Sequence, residues 1–125
     1  MNTAVIVVLS CLLMASMALA QELHQGDICE KKIASLSSHH CGTLPAQATY
    51  TFKNVGPHIV NIRSHATDAY DPYTIGVGES KSYVLGTGTN LYLNRADGEW
   101  FSERTLAVQI ATIDPCDACA PDTGF

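Results

Sequence analysis

The chain has 125 residues, with 12 acidic against 7 basic side chains, a formal net charge of -5 and 46% hydrophobic residues. That acidity, broken by no basic cluster longer than Lys31-Lys32, argues against nucleic acid or an anionic membrane surface as partner. The length suits one small core and leaves no room for a second.

Residues 1–20 are almost wholly apolar, from Val5-Ile6-Val7-Val8-Leu9 through Leu12-Leu13-Met14, and close on Ala18-Leu19-Ala20 before the polar Gln21-Glu22-Leu23-His24. This is the pattern of a secretory signal peptide cleaved before Gln21, which makes the mature protein secreted or periplasmic. The same run, if retained, is just long enough to anchor the chain in a bilayer. After cleavage no second long apolar stretch exists, so no membrane contact is expected of the mature chain.

Residues 21–47 read as a helical or loop segment. Asp27 and Glu30 fit an N-cap with a carboxylate three residues on, and Cys29, Ile33, Leu36 and His40 share one face at helical spacing, predicting a short helix over 28–39. The Ser35-Leu36-Ser37-Ser38 stretch is a poor helix former and leaves an irregular loop as the alternative. Gly42 and Pro45 then place a loop at 42–47.

From Ala48 the period becomes two. Ala48, Tyr50 and Phe52 alternate with polar neighbours up to the turn Asn54-Val55-Gly56-Pro57. Residues 58–65 follow as a strand with Val60 and Ile62 inward and Asn61, Arg63 and His65 on a solvent-exposed face. Shorter strands are predicted at 73–75, 81–85 and 91–95, separated by Gly, Pro, Asn and Asp turns. Asp97-Gly98 carries the strongest hairpin signal, Trp100-Phe101 opens the return, and a last strand over about 104–113 alternates Leu106, Val108 and Ile110 with Ala107, Gln109 and Ala111. The result is a β-sandwich at 48–113 followed by a Cys-containing tail at 114–125.

Five cysteines occur, Cys11 within the apolar leader and Cys29, Cys41, Cys116 and Cys119 after it. An even number in an exported chain reads as disulfides. Three pairings are possible, and stapling each early cysteine to a late one is preferred because it orders both ends of the chain. The carboxylates of Asp114, Asp117 and Asp122 around Cys116-x-x-Cys119 disfavour a reactive thiolate there. The competing chemistry is a Zn or Cu site drawn from His39, His40, Cys41, Cys116 and Cys119, in which only one of the adjacent histidines can take part.

The chain contains no nucleophile elbow, zinc-protease helix, phosphate loop or EF-hand pattern, and its acidic residues fall in short turns such as Asp68 with Asp71 and Asp97 with Glu99. A non-catalytic protein without a cofactor is the expectation. Aromatic residues concentrate between 70 and 101; Tyr92, opposite in phase to Leu91 and Leu93, and Trp100 across the hairpin form the candidate binding pair.

Thr51-Phe52-Lys53-Asn54, Pro72-Tyr73-Thr74-Ile75, Gly78-Glu79-Ser80 and the run Leu91 to Gly98 together resemble the β domain of the von Hippel-Lindau family. The resemblance implies a seven-stranded sandwich that binds a partner peptide; Val77 departs from that family's Pro. Thr87-Gly88-Thr89-Asn90-Leu91-Tyr92 and Trp100 to Arg104 also resemble the cleft-entering segments of periplasmic lysozyme inhibitors. The combined expectation is an all-β antiparallel sandwich of six to seven strands with a short N-terminal helical segment. Its expected role is to bind a protein, peptide or glycan, with hydrolase inhibition and metal binding as competing functions.

Overall fold

The computed structural model describes residues 21–34, 37–67, 71–96 and 102–125. Among these residues there is no helix, and eight strands occur: β1 (Ile28–Ile33), β2 (Ser38–Thr43), β3 (Ala48–Asn54), β4 (Val60–Arg63), β5 (Thr74–Ile75), β6 (Ser80–Leu85), β7 (Asn90–Arg95) and β8 (Arg104–Pro115). They build two antiparallel sheets with strand orders β1-β8-β3-β6 and β2-β7-β4-β5. Strands 1 and 8, 2 and 7, 3 and 6, and 4 and 5 pair as along one ribbon folded back on itself. The β3–β8 and β4–β7 ladders roll that ribbon into two layers. This is the strand order of a jelly roll.

The period-two alternation explains the core. Tyr50 and Phe52 of β3, Val60 and Ile62 of β4, Leu91 and Leu93 of β7, and Leu106, Val108 and Ile110 of β8 are buried between the sheets. Each such side chain stabilises the fold by about 1.5–3 kcal/mol through apolar area removed from water. Asn54 closes the turn after β3: its Nδ2 donates to His58 O and Ile75 O at 2.9 Å each, and its Oδ1 accepts from Gly56 N at 3.0 Å. Gly56 lies so close to β8 that a Cβ there would meet Ala107 N at 2.8 Å.

The helix expected over 28–39 does not form: its first half is β1 and its end lies in β2, with Ser35 and Leu36 outside the described residues. Cys29 and Ile33 are four apart, a spacing that serves one face of a helix and one face of a strand alike. The decision is tertiary, because β1 makes a six-residue ladder along the β8 edge, from Ile28↔Gln109 to Ile33↔Arg104. The loop expected at 42–47 starts later for the same reason, β2 continuing through Thr43.

The preferred cysteine pairing is also overturned. Cys29 bonds Cys41, with Cα atoms 5.8 Å apart, and Cys116 bonds Cys119 at 5.7 Å. Cys29 lies opposite Val108, whereas Cys116 follows Pro115 at the end of the same strand β8, so the two regions are about 26 Å apart at the rise of a strand. The first bond joins edge strands of the two sheets. The chain ends are ordered by other means. Leu23 N donates to Thr43 O and Thr43 N to Gln21 O, seating residues 21–23 along β2, while Gly26 N donates to Ile110 O on the opposite sheet. At the other end, Gln47 Nε2 donates to Cys119 O at 2.7 Å and Asp122 N to Val84 O.

Candidate functional site

The outer face of the β2-β7-β4-β5 sheet carries polar residues at every position the alternation turns away from the core. Registers Ser38↔Asn94↔Asn61↔Thr74 and His40↔Tyr92↔Arg63 set these residues in two rows across the sheet. The face was expected to be open to solvent. Instead Asn61 and Asn94 are fully buried, because the segment after β4 folds back over the first row.

Hydrogen bonds account for that cover. Asn94 Oδ1 accepts from the Ser38 hydroxyl at 2.5 Å and from Thr67 N at 3.1 Å, and its Nδ2 donates to His65 O at 3.2 Å. Asn61 Nδ2 donates to Asp71 Oδ1 at 2.8 Å and to Thr74 Oγ1 at 3.2 Å. Asp71 Oδ1 also accepts from Tyr73 N, and its Oδ2 pairs with Arg63 Nη1. Arg63 in turn donates from Nε to Phe125 O at 2.7 Å and lies 4.9 Å over the Tyr73 ring. Partly buried charges paired in this way act as a brace whose members are occupied by one another.

The second row stays open. His40 is exposed, and its ring stacks on Tyr92 with centroids 4.8 Å apart and planes 27° from parallel. Its Nε2 lies 3.1 Å from Asn90 Oδ1. His39, the adjacent residue, turns the other way, toward the Cys29–Cys41 bond. Burial, then the positive charge of Lys31, pulls its pKa below the ordinary histidine value.

Asn90 is also part of the rim of a cleft of about 400 Å³ between the 86–89 turn, Ser64 and residues 121–125. The turn is fixed from below, since Gly88 N donates to Leu44 O and Leu44 N to Thr89 O. Pro121 and Phe125 give the cleft an apolar wall, and Ser64, Thr89, Asn90, Asp122 and Thr123 give it polar groups. The hydrogen bond from the Tyr73 hydroxyl, followed by Gly124 N–H, holds the Asp122 carboxyl below its usual range, so this group is an anion at neutral pH. Behind it Phe125 packs edge-on against Tyr73 at 5.3 Å and beside Tyr83 at 6.1 Å. Burial pushes the hydroxyls of Tyr73 and Tyr83 up to about 12.

A smaller cleft of about 240 Å³ lies at the opposite seam, beside Cys29–Cys41 and lined by Asp27, Glu30 and His39 among others. It brings together two of the residues proposed for a metal site, His39 and Cys41, but the sulfur is bonded to Cys29 and Cys116 and Cys119 are bonded to each other far away. Among the described residues no group of three or more His, Cys, Asp or Glu is placed to hold a metal ion. The five-residue Zn or Cu arrangement is therefore not assembled.

Tyr92 points away from the buried Leu91 and Leu93, and its ring neighbour is His40. Trp100, the partner expected from sequence, lies outside the described residues, as do Phe101, the Asp97-Gly98 hairpin, Asp68, Tyr70 and the leader 1–20. Sequence reasoning did not single out Asn90, Asp122 or Phe125. The one available signal was the pair Asn61 and Asn94 in strand interiors, where Asn is depleted unless something bonds it. No family model, curated protein or solved structure matches this chain.

Proposed function

We propose that the protein is an exported, non-catalytic binding module that recognises its partner through the open half of the outer face of the β2-β7-β4-β5 sheet. The observation that carries this reading is the division of that face. One row is covered and built of buried amides, and the next is braced at Arg63 by Asp71 and presents the exposed His40 ring stacked on the half-buried Tyr92. Aromatic rings held on a rigid element offer contact area with little conformational entropy left to lose on binding. Binding rather than reaction is favoured because the charged groups nearest the rings are engaged in structural bonds: Arg63 with Asp71 and Phe125 O, and Asp122 with Tyr73 and Gly124 N. The signal-like residues 1–20 and two disulfides support export to an oxidising compartment.

The test is partner retention from the medium or periplasm of the producing cell on immobilised protein, comparing the natural sequence with Tyr92→Ala and His40→Ala variants of unchanged circular dichroism. A partner held by the natural protein and lost by both variants is expected. Identical retention by all three contradicts the reading. Inhibition of a secreted hydrolase is the second reading. It is favoured by the position of Thr87 to Thr89 on the turn beside the cleft, leading into Asn90 at the start of β7, and it requires that the retained partner be a hydrolase whose activity falls on binding.

A further inference from the structure

We infer that the cleft beside Asn90, together with the His40–Tyr92 ring pair, is a binding site for a neutral saccharide. The inference rests on the binding-module reading above and names its ligand class. A sugar ring has apolar C–H faces and a rim of hydroxyls that both donate and accept, so its site needs a flat ring surface and mixed hydrogen-bonding groups side by side. Asn90 supplies the junction: its Oδ1 is bound to His40 Nε2, which leaves its two N–H donors for a ligand, and the same residue lines the cleft. Ser64 adds a hydroxyl, Thr89 adds a hydroxyl oxygen that can accept while its proton is donated to Gly86 O, and the Asp122 carboxylate keeps acceptor capacity beyond its bonds to Tyr73 and Gly124 N.

The size agrees with this ligand. A cleft of about 400 Å³ lies in the lower part of the range for small-ligand sites, about 300–1,000 Å³, and suits one or two sugar rings. Charge then selects among saccharides. Asp122 at the cleft and a net charge of -5 on the chain repel uronic, sialylated and sulfated sugars, so the ligand is neutral. A peptide fits less well, because the cleft offers no deep apolar pocket to anchor a side chain and the edge strand β2 is capped at Thr43 by residues 21–23.

The experiment is a titration of the isotope-labelled mature protein with triacetylchitotriose, cellotriose, maltotriose and mannotriose, each to about 10 mM, with trigalacturonate as the charged control, a range that detects dissociation constants into the millimolar. At least one neutral trisaccharide is expected to saturate, shifting the amide signals of Ser64, Gly88, Thr89, Asn90 and Tyr92, while trigalacturonate shifts none of them. Tyr92→Ala is expected to weaken that binding about tenfold or more. Asn90→Ala, an exposed change that removes the amide donors together with the bond to His40, is expected to weaken it as well, and it serves if the tyrosine variant does not fold. Absence of saturation with every neutral trisaccharide, shifts confined to the opposite sheet, or full affinity in both variants overturns the inference. Retention of a protein partner that is lost in Tyr92→Ala, together with no saccharide binding, removes the saccharide and leaves the binding-module reading intact.

Discussion

Arg63 is the residue on which most local structure converges, touching Asp71, Phe125 O and the face of Tyr73 at once. Its removal leaves the partly buried Asp71 carboxylate without its cation and Phe125 O with only the Ser64 N–H, and Arg63→Met is expected to cost about 2–4 kcal/mol of stability by denaturant unfolding. The Arg63→Met, Asp71→Asn double variant should recover part of that loss, since it removes the orphaned charge. Two titrations bound the pH range of full stability. Tyr73 and Tyr83 are pushed up to about 12, so the unfolded chain loses these phenolic protons first, and stability falls as pH rises from about 10 towards 12. His39 is displaced the other way by burial, so the unfolded chain takes up its proton first and stability also falls as pH drops below about 6.5. Denaturation midpoints measured from pH 4 to 11.5 should form a plateau between these flanks, and His39→Gln should flatten the acid one. The inward and outward phases of Tyr50, Phe52, Ile62, Leu93 and Val108 were legible from alternation alone. Burial of Asn61 was not, because the segment that covers it is held by bonds to residues far along the chain, which no local period encodes.

At the scale of elements, β1 and β2 show most clearly what local pattern leaves open. Cys29 and Ile33 fit a helical stripe and a strand face alike, and the free edge of β8 decides for the strand. With β1 and β2 as edge strands of opposite sheets, Cys29 and Cys41 come within bonding distance across the seam; the helix reading also allowed this pairing, as a short loop around the helix, but gave no reason to prefer it over stapling. This bond closes a longer loop than Cys116–Cys119, sequence separations 12 and 3, and loop-closure entropy assigns them about 3 and about 2 kcal/mol. The Cys29→Ser, Cys41→Ser variant is therefore expected to melt lower than Cys116→Ser, Cys119→Ser, the second bond lying in the tail and away from the core. The strap formed by residues 21–23 depends on Gly42, where φ is +152° and a Cβ would collide with Gln21 O. Gly42→Ala should displace the strap, and proteolysis or hydrogen exchange should then open residues 21–27 before the sheets; undisturbed protection there would show that the strap tolerates the change.

For the whole molecule, the jelly-roll order places the two open seams and the two outer faces in different environments. One seam is closed by Cys29–Cys41 and the 21–27 strap. The other is closed by Tyr73, Tyr83 and Phe125, with Lys81 Nζ donating to Thr74 O across it at 2.6 Å. The β1-β8-β3-β6 sheet presents small hydroxyls such as the bonded Thr51–Ser82 pair, and the β2-β7-β4-β5 sheet presents the rings and the cleft. An all-β antiparallel sandwich followed from strand spacing and turn residues, but the partition of strands between sheets did not, because period two states which side chains face inward and not which strand lies beside which. Of the residues in the proposed site, the sequence named Tyr92 for binding and His40 for a metal; the others come from the 86–89 turn and the tail, which the roll gathers at one end. The surface that a bound partner protects tests the proposed binding face most directly. Hydrogen exchange with and without the retained partner or saccharide should show added protection at 38–43, 86–95 and 121–125 and none along β1 or the outer face of β3 and β6. Protection centred on the β1-β8-β3-β6 sheet, with residues 86–95 unchanged, would contradict it.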